Sequence, residues 1–111
     1  METTQATSEA WVVWITAPPQ QAEALARGIV EQSLAACVQQ LPIQSTYRWQ
    51  GRVCAEAEVL LLCKTMRRCY PQLEQYVLAH HPYETPQILA TPLSAGLPSY
   101  LEWLQEQTKA P

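Results

Sequence analysis

Solid apolar runs alternate along the chain with stretches patterned at helical spacing, and their order defines its elements. Trp11 to Ala17, "WVVWITA", is continuously apolar, rich in β-branched and aromatic residues, and ended by Pro18-Pro19. Such a run fits a strand buried on both faces in the middle of a sheet. After the prolines, Ala22, Leu25, Ala26, Ile29 and Val30 share one helical face. They predict a first helix ending near Leu34, with Pro19 tolerated in a first turn where no amide bond is lost. Two extended segments then flank Gln50-Gly51, where a glycine can supply positive φ, so a β-hairpin is predicted, irregular at Pro42. Its second arm becomes solidly apolar from Val59 to Cys63, which buries the far end and leaves the turn end projecting.

Leu73, Tyr76, Val77 and His80 keep helical spacing between about Arg67 and His80, with Pro71 in the first turn and Pro82 as the stop. "QILATPL", Gln87 to Leu93, reads as a short strand, and Pro98 opens a last amphipathic helix with Tyr100, Leu101 and Leu104 on its apolar side. The order is βαββαβ with a terminal helix: an α+β, ferredoxin-like sandwich with an extended hairpin between its second and third strands. A flexible polar tail is expected at 1–9 and a single domain at 10–111. Two helices can roof only one face of the sheet, yet runs such as Val59 to Leu62 ask for cover on both. The bare face is therefore expected to meet another subunit.

Composition narrows the function. Charged residues make up 15% of the chain, hydrophobics 48%, and the net charge is −3, which excludes a disordered chain and argues against a nucleic-acid partner. The leader "METTQATSEA" lacks a cationic segment, and the apolar run after it is too short for a signal-peptide core or a membrane span. A cytoplasmic location with no membrane partner is expected. That compartment keeps thiols reduced, so Cys37, Cys54, Cys63 and Cys69 are not read as a disulfide framework, and no CxxC pair supports a zinc or thioredoxin-like motif.

Six short motifs stand in order: "TAP" at Thr16 to Pro18, "LAACV" at Leu34 to Val38, "YRWQGRV" at Tyr47 to Val53, "LLLCKT" at Leu60 to Thr65, "HPYETP" at His81 to Pro86 and "YLEWL" at Tyr100 to Leu104. In this register, from about Trp11 to Gln107, the chain resembles the CutA divalent-cation tolerance family. The resemblance implies a fold similar to PII signalling proteins, a homotrimer, and a link to divalent metals, copper especially. The resemblance implies that metal sites proposed in some bacterial relatives use further cysteines where this chain has Ile15 and Tyr76, which argues against a thiolate-rich cluster.

His80, His81 and Cys37 are the residues whose types and motif positions best fit copper or another divalent ion. Consecutive helical side chains point about 100° apart, so both histidines face one ion only if Pro82 has already broken the helix between them. The alternative readings are structural: His80 closes the apolar helical stripe, His81 caps terminal carbonyls, and Cys37 is a small buried hydrophobe. Lys64, at the end of a buried strand, is expected to find a carboxylate, with Glu84 the candidate. By analogy with the PII-like architecture, Trp49, Lys64, Tyr83 and Glu84 could instead line an inter-subunit cleft for a small anion or metabolite. Tyr47, Arg48, Trp49 and Gly51 form the hairpin end, a candidate interface. No organic cofactor is expected. Cys37 with His81 would lack the third, orienting group that an enzyme needs, so no catalytic residues are assigned.

Overall fold

A computed structural model describes residues 9–109, so most of the tail expected at 1–9 lies outside the described residues. The elements are β1 (Ala10–Ala17), α1 (Pro19–Glu31), β2 (Cys37–Trp49), β3 (Arg52–Met66), a 3-10 turn (Arg67–Cys69), α2 (Tyr70–His80), β4 (Ile88–Pro92) and α3 (Pro98–Glu106). The four strands form one antiparallel sheet in the order β2-β3-β1-β4. The mixed α+β architecture read from the sequence is the one observed, and β1 is central, as its unbroken apolar run requires.

Alternation across the strands divides the residues between the two sheet faces. Val13, Ile15 and Ala17 of β1 and Leu61 and Cys63 of β3 turn one way, where Leu25 and Ile29 of α1 and Leu73 and Val77 of α2 close over them. Trp14, Leu60, Leu62, Leu41 and Leu89 turn the other way, by their pairing in register across the four strands. On that second face α3 covers one end only, setting Leu101 and Leu104 against Ala10, Met66 and Cys69. Leu41 remains 53% exposed and Leu89 60%.

Three local expectations change. The first helix ends at Glu31, three residues early, because Ser33 takes a left-handed φ of 59°. The Ser33 amide then bonds Val30 O and the Leu34 amide bonds Ile29 O, a Schellman closure. The second helix begins with a 3-10 turn, and only from Tyr70 is it α. The hairpin is not irregular at Pro42: the ladder runs through Leu41–Leu60, Pro42–Val59 and Ile43–Glu58 without a slip. The Trp49–Arg52 pair closes a two-residue turn, with φ of 51° at Gln50 and 78° at Gly51. Counting back from that hydrogen-bonded pair, the odd positions of β2 exchange ladder bonds and the even ones point outward. Pro42 is even and β2 is an edge strand, so its missing amide costs the ladder nothing.

The hairpin projects beyond the helices, giving the chain extents of 49 × 24 × 21 Å. At its end Val53 is 67% exposed. At the other side of the molecule α1 and α2 cross closely, for a Cβ at Gly28 would meet the Tyr76 hydroxyl. Gly28→Val is expected to lower stability by about 2 kcal/mol, overpacking outweighing the gain in helix propensity. Urea denaturation measures it, and the same substitution in a Tyr76→Phe chain should lose less; an equal loss in both chains would show that the hydroxyl is not the obstacle.

Candidate functional site

The segment after α2 is built by its prolines. Pro82 forces His81 into extended geometry, with φ −90° and ψ 139°, so the chain leaves the helix at that residue and the ring swings back toward the sheet. His81 is buried, and its Nε2 lies 2.7 Å from Thr16 O on β1, while the Tyr83 amide donates to its Nδ1 at 3.1 Å. A carbonyl only accepts and an amide N–H only donates, so Nε2 carries the proton and both nitrogens are engaged. His81 is thus a clasp between loop and sheet, not a cap on the helix carbonyls. The capping bond belongs to His80, whose Nδ1–H donates to Tyr76 O at 2.8 Å while its ring stacks on Tyr76 at 4.0 Å. His80 is exposed and does not close the apolar stripe; its Nε2 is the one histidine nitrogen left without a recorded bond.

Cys37 is elsewhere. It pairs with Lys64, which pairs with Val12, four residues along β1 from the Thr16 carbonyl that holds His81. Four residues of strand are about 13 Å, out of hydrogen-bonding reach, so Cys37 and His81 form neither a nucleophile–base pair nor two ligands of one ion. Among the described residues no group of three or more His, Cys, Asp or Glu side chains could hold a metal. His80, His81 and Cys37 therefore do not fit a metal centre within one chain. Cys37 is half-buried beneath α3, where burial and then the neighbouring Cys37 thiol raise the Tyr100 phenol. Burial also pushes the Cys63 thiol up to about 12, which leaves it inert.

A cleft of about 710 Å³ lies between the distal hairpin and the 83–87 loop. It gathers Trp49, Tyr83 and Glu84 within one chain, with Tyr47 at the hairpin end. Lys64 is not in it, nor paired with Glu84; its ammonium donates to Gln39 Oε1 at 2.7 Å, because cross-strand register places both in neighbouring rows of the second face. Sequence reasoning missed Glu58, a carboxylate directly before the run Val59 to Cys63, whose position against a buried stretch was the available signal. Glu58 is only 6% exposed and accepts from the Tyr83 hydroxyl at 3.1 Å, while Glu56 accepts from Tyr47 at 2.9 Å. The lining holds Glu56, Glu58 and Glu84 and no cationic side chain, a setting for a positive group rather than an anion.

Burial, then the bond to Glu58, push the Tyr83 phenol up to about 12. A phenol whose proton is held more tightly in the folded chain stabilises it fully below the ordinary value near 10, and that contribution is lost as pH rises through 12. Ultraviolet titration of tyrosinate should show that Tyr83→Phe removes the last-ionising tyrosine; a variant titrating like the parent would refute this.

The CutA1 divalent ion tolerance protein family matches residues 11–107. A divalent-cation tolerance protein CutA of Thermus thermophilus is 46% identical over 99 residues, covering 87% of this chain and 96% of its own length. The crystal structure of CutA1 from Oryza sativa superposes with a TM-score of 0.90 at 38% identity, covering 96% of this chain and 99% of that one. A PII-like protein CutA from Nostoc sp., in apo form, superposes at 0.86 with 34% identity, over 89% of this chain and 97% of its own.

Proposed function

Since this chain belongs to the CutA1 divalent ion tolerance family, we propose that it is a homotrimer acting in tolerance of divalent cations, copper above all. The observation that carries the assembly is the second sheet face, where Trp14, Leu41 and Leu89 stand exposed and α3 covers one end alone. Exposed apolar area of that continuity belongs in an interface. Since the candidate ligands of one chain do not converge, an ion held by the protein takes donors from more than one chain, with the free Nε2 of His80 the nitrogen available. Location in the cytoplasm accords with the free cysteines, although relatives in Arabidopsis and rice are described as chloroplastic and one in Archaeoglobus fulgidus as periplasmic.

A second reading is supported by the cleft: a PII-like signalling or adaptor trimer whose metal phenotype is indirect. Native mass spectrometry of metal-free protein titrated with Cu(I), Cu(II) and Zn(II) separates the two. Three ions taken up saturably per trimer, weakened about tenfold by His80→Ala or Cys37→Ala, supports cation binding. A trimer that takes up no ion, or whose uptake neither substitution alters, leaves the adaptor reading.

A further inference from the structure

The register of the hairpin sets two unlike rows side by side. In the ladder Ser45 faces Glu56, Tyr47 faces Cys54 and Trp49 faces Arg52, and Glu58, two residues beyond Glu56 on β3, shares their sheet face. Tyr47 and Trp49 thus line the cleft as an aromatic row beside the acidic row of Glu56 and Glu58, whereas Arg52, at the turn, does not line it. Tyr83 and Glu84 close the cleft from a loop that Pro82, Pro86 and the His81 clasp hold in place. Glu58 is buried, and its Oε2 is taken by the Tyr83 hydroxyl, while its other oxygen has no recorded partner. Among the described residues no fully enclosed side-chain oxygen lacks a partner, so that second oxygen is one the cleft still reaches.

We propose that this cleft binds a small organic cation, its ammonium or guanidinium N–H groups on Glu58 and its body against Tyr47 and Trp49. The inference rests on the adaptor reading of the cleft and gives that ligand its chemical class. A carboxylate buried without a positive partner is unfavourable until a charged, hydrogen-bonding group reaches it. Aromatic faces beside it attract the same charge. Glu56 and Glu84 add to the negative field and no cation lines the cleft, so an anion is repelled. The site is too open for a bare metal ion: among the described residues no three His, Cys, Asp or Glu side chains gather to hold one, and about 710 Å³ is room for an organic molecule. Because the loop wall is already fixed, little ordering is left for binding to impose. The free oxygen of Glu58 asks for an N–H donor, which a quaternary ammonium does not carry.

Titration calorimetry of the full-length protein in its native assembly, with agmatine as the probe, tests the proposal. Saturable binding at a single site per chain is expected, and Glu58→Gln should weaken it about tenfold or more, since the amide keeps an acceptor for Tyr83 but loses the charge. Without ligand the Glu58→Gln chain should melt no earlier than the parent, and agmatine should raise the melting temperature of the parent alone. Glu84→Gln, at an exposed loop position, leaves the buried bond untouched and should weaken binding about threefold, as a solvent-screened charge does. Choline should bind far more weakly than agmatine, and succinate not at all. Absence of saturable agmatine binding, equal binding by parent and both variants, or choline or succinate bound as tightly as agmatine overturns the inference. The adaptor reading fails separately, on the copper and zinc titration: a protein that binds neither metal nor agmatine keeps that reading and loses only this ligand class, whereas one that takes up metal through His80 or Cys37 and no agmatine loses both.

Discussion

A chain carrying Leu41→Glu and Leu89→Glu is expected to fold and to remain monomeric at concentrations where the parent forms the proposed trimer. Both leucines stand on the sheet face that α3 leaves bare, at 53% and 60% exposure, so they contribute little to the packing of their own chain. Leu41 lies on the β2 edge and Leu89 in β4, opposite Trp14, which places a carboxylate at either side of the face. In an assembly each would be desolvated without a partner, at a cost of several kcal/mol per ion, and three chains would bring six of them together. Light scattering at micromolar concentration reads the outcome. A trimeric mass for this variant would show that the apolar face is not where the chains meet.

His81→Ala is expected to lower stability by about 2–4 kcal/mol and to leave any saturable copper or zinc uptake by the remaining folded protein unchanged. The ring spans from Tyr83 N to Thr16 O, 65 positions away in sequence, and is buried. Truncation leaves a cavity where the ring lay and removes the acceptor of the Tyr83 amide, and these two losses add. The loop carrying Tyr83 and Glu84 then loses its anchor, and the Tyr83–Glu58 bond across the cleft should loosen with it. Thermal denaturation and metal titration on one preparation decide the matter. Loss of uptake at full stability would make His81 a ligand after all.

Much of the scaffold was legible because it depends on local pattern. The run Trp11 to Ala17 announced a central strand, and the break at Gln50-Gly51 between two extended segments announced the hairpin. Where the reading went astray, the cause was either backbone detail or partners distant in sequence. Ser33 ended α1 early through a left-handed conformation that no glycine advertised. Lys64 took Gln39 rather than Glu84, because strand register, invisible in composition, decides which side chains are neighbours. His80 took the capping role expected of His81, and His81 became a clasp between loop and sheet, once Pro82 turned the chain at His81 rather than after it. Trp49, Tyr83 and Glu84 were named only by analogy with the PII-like architecture, whereas Glu58 entered when β3 carried it opposite the loop.

Pro42 has a bearing on the life of the newly made chain. β2 is a 13-residue edge, and a long free edge is a template on which sheets of different molecules can grow into aggregates. An outward-facing proline interrupts that template midway, since an incoming strand finds no donor there and meets a ring in its path. Replacing it with a β-branched residue would complete the edge and, in the same stroke, make a newly made chain sticky toward any extended segment it met. The proline that the ladder accommodates without loss is thus a safeguard for solubility during synthesis, when chains are crowded.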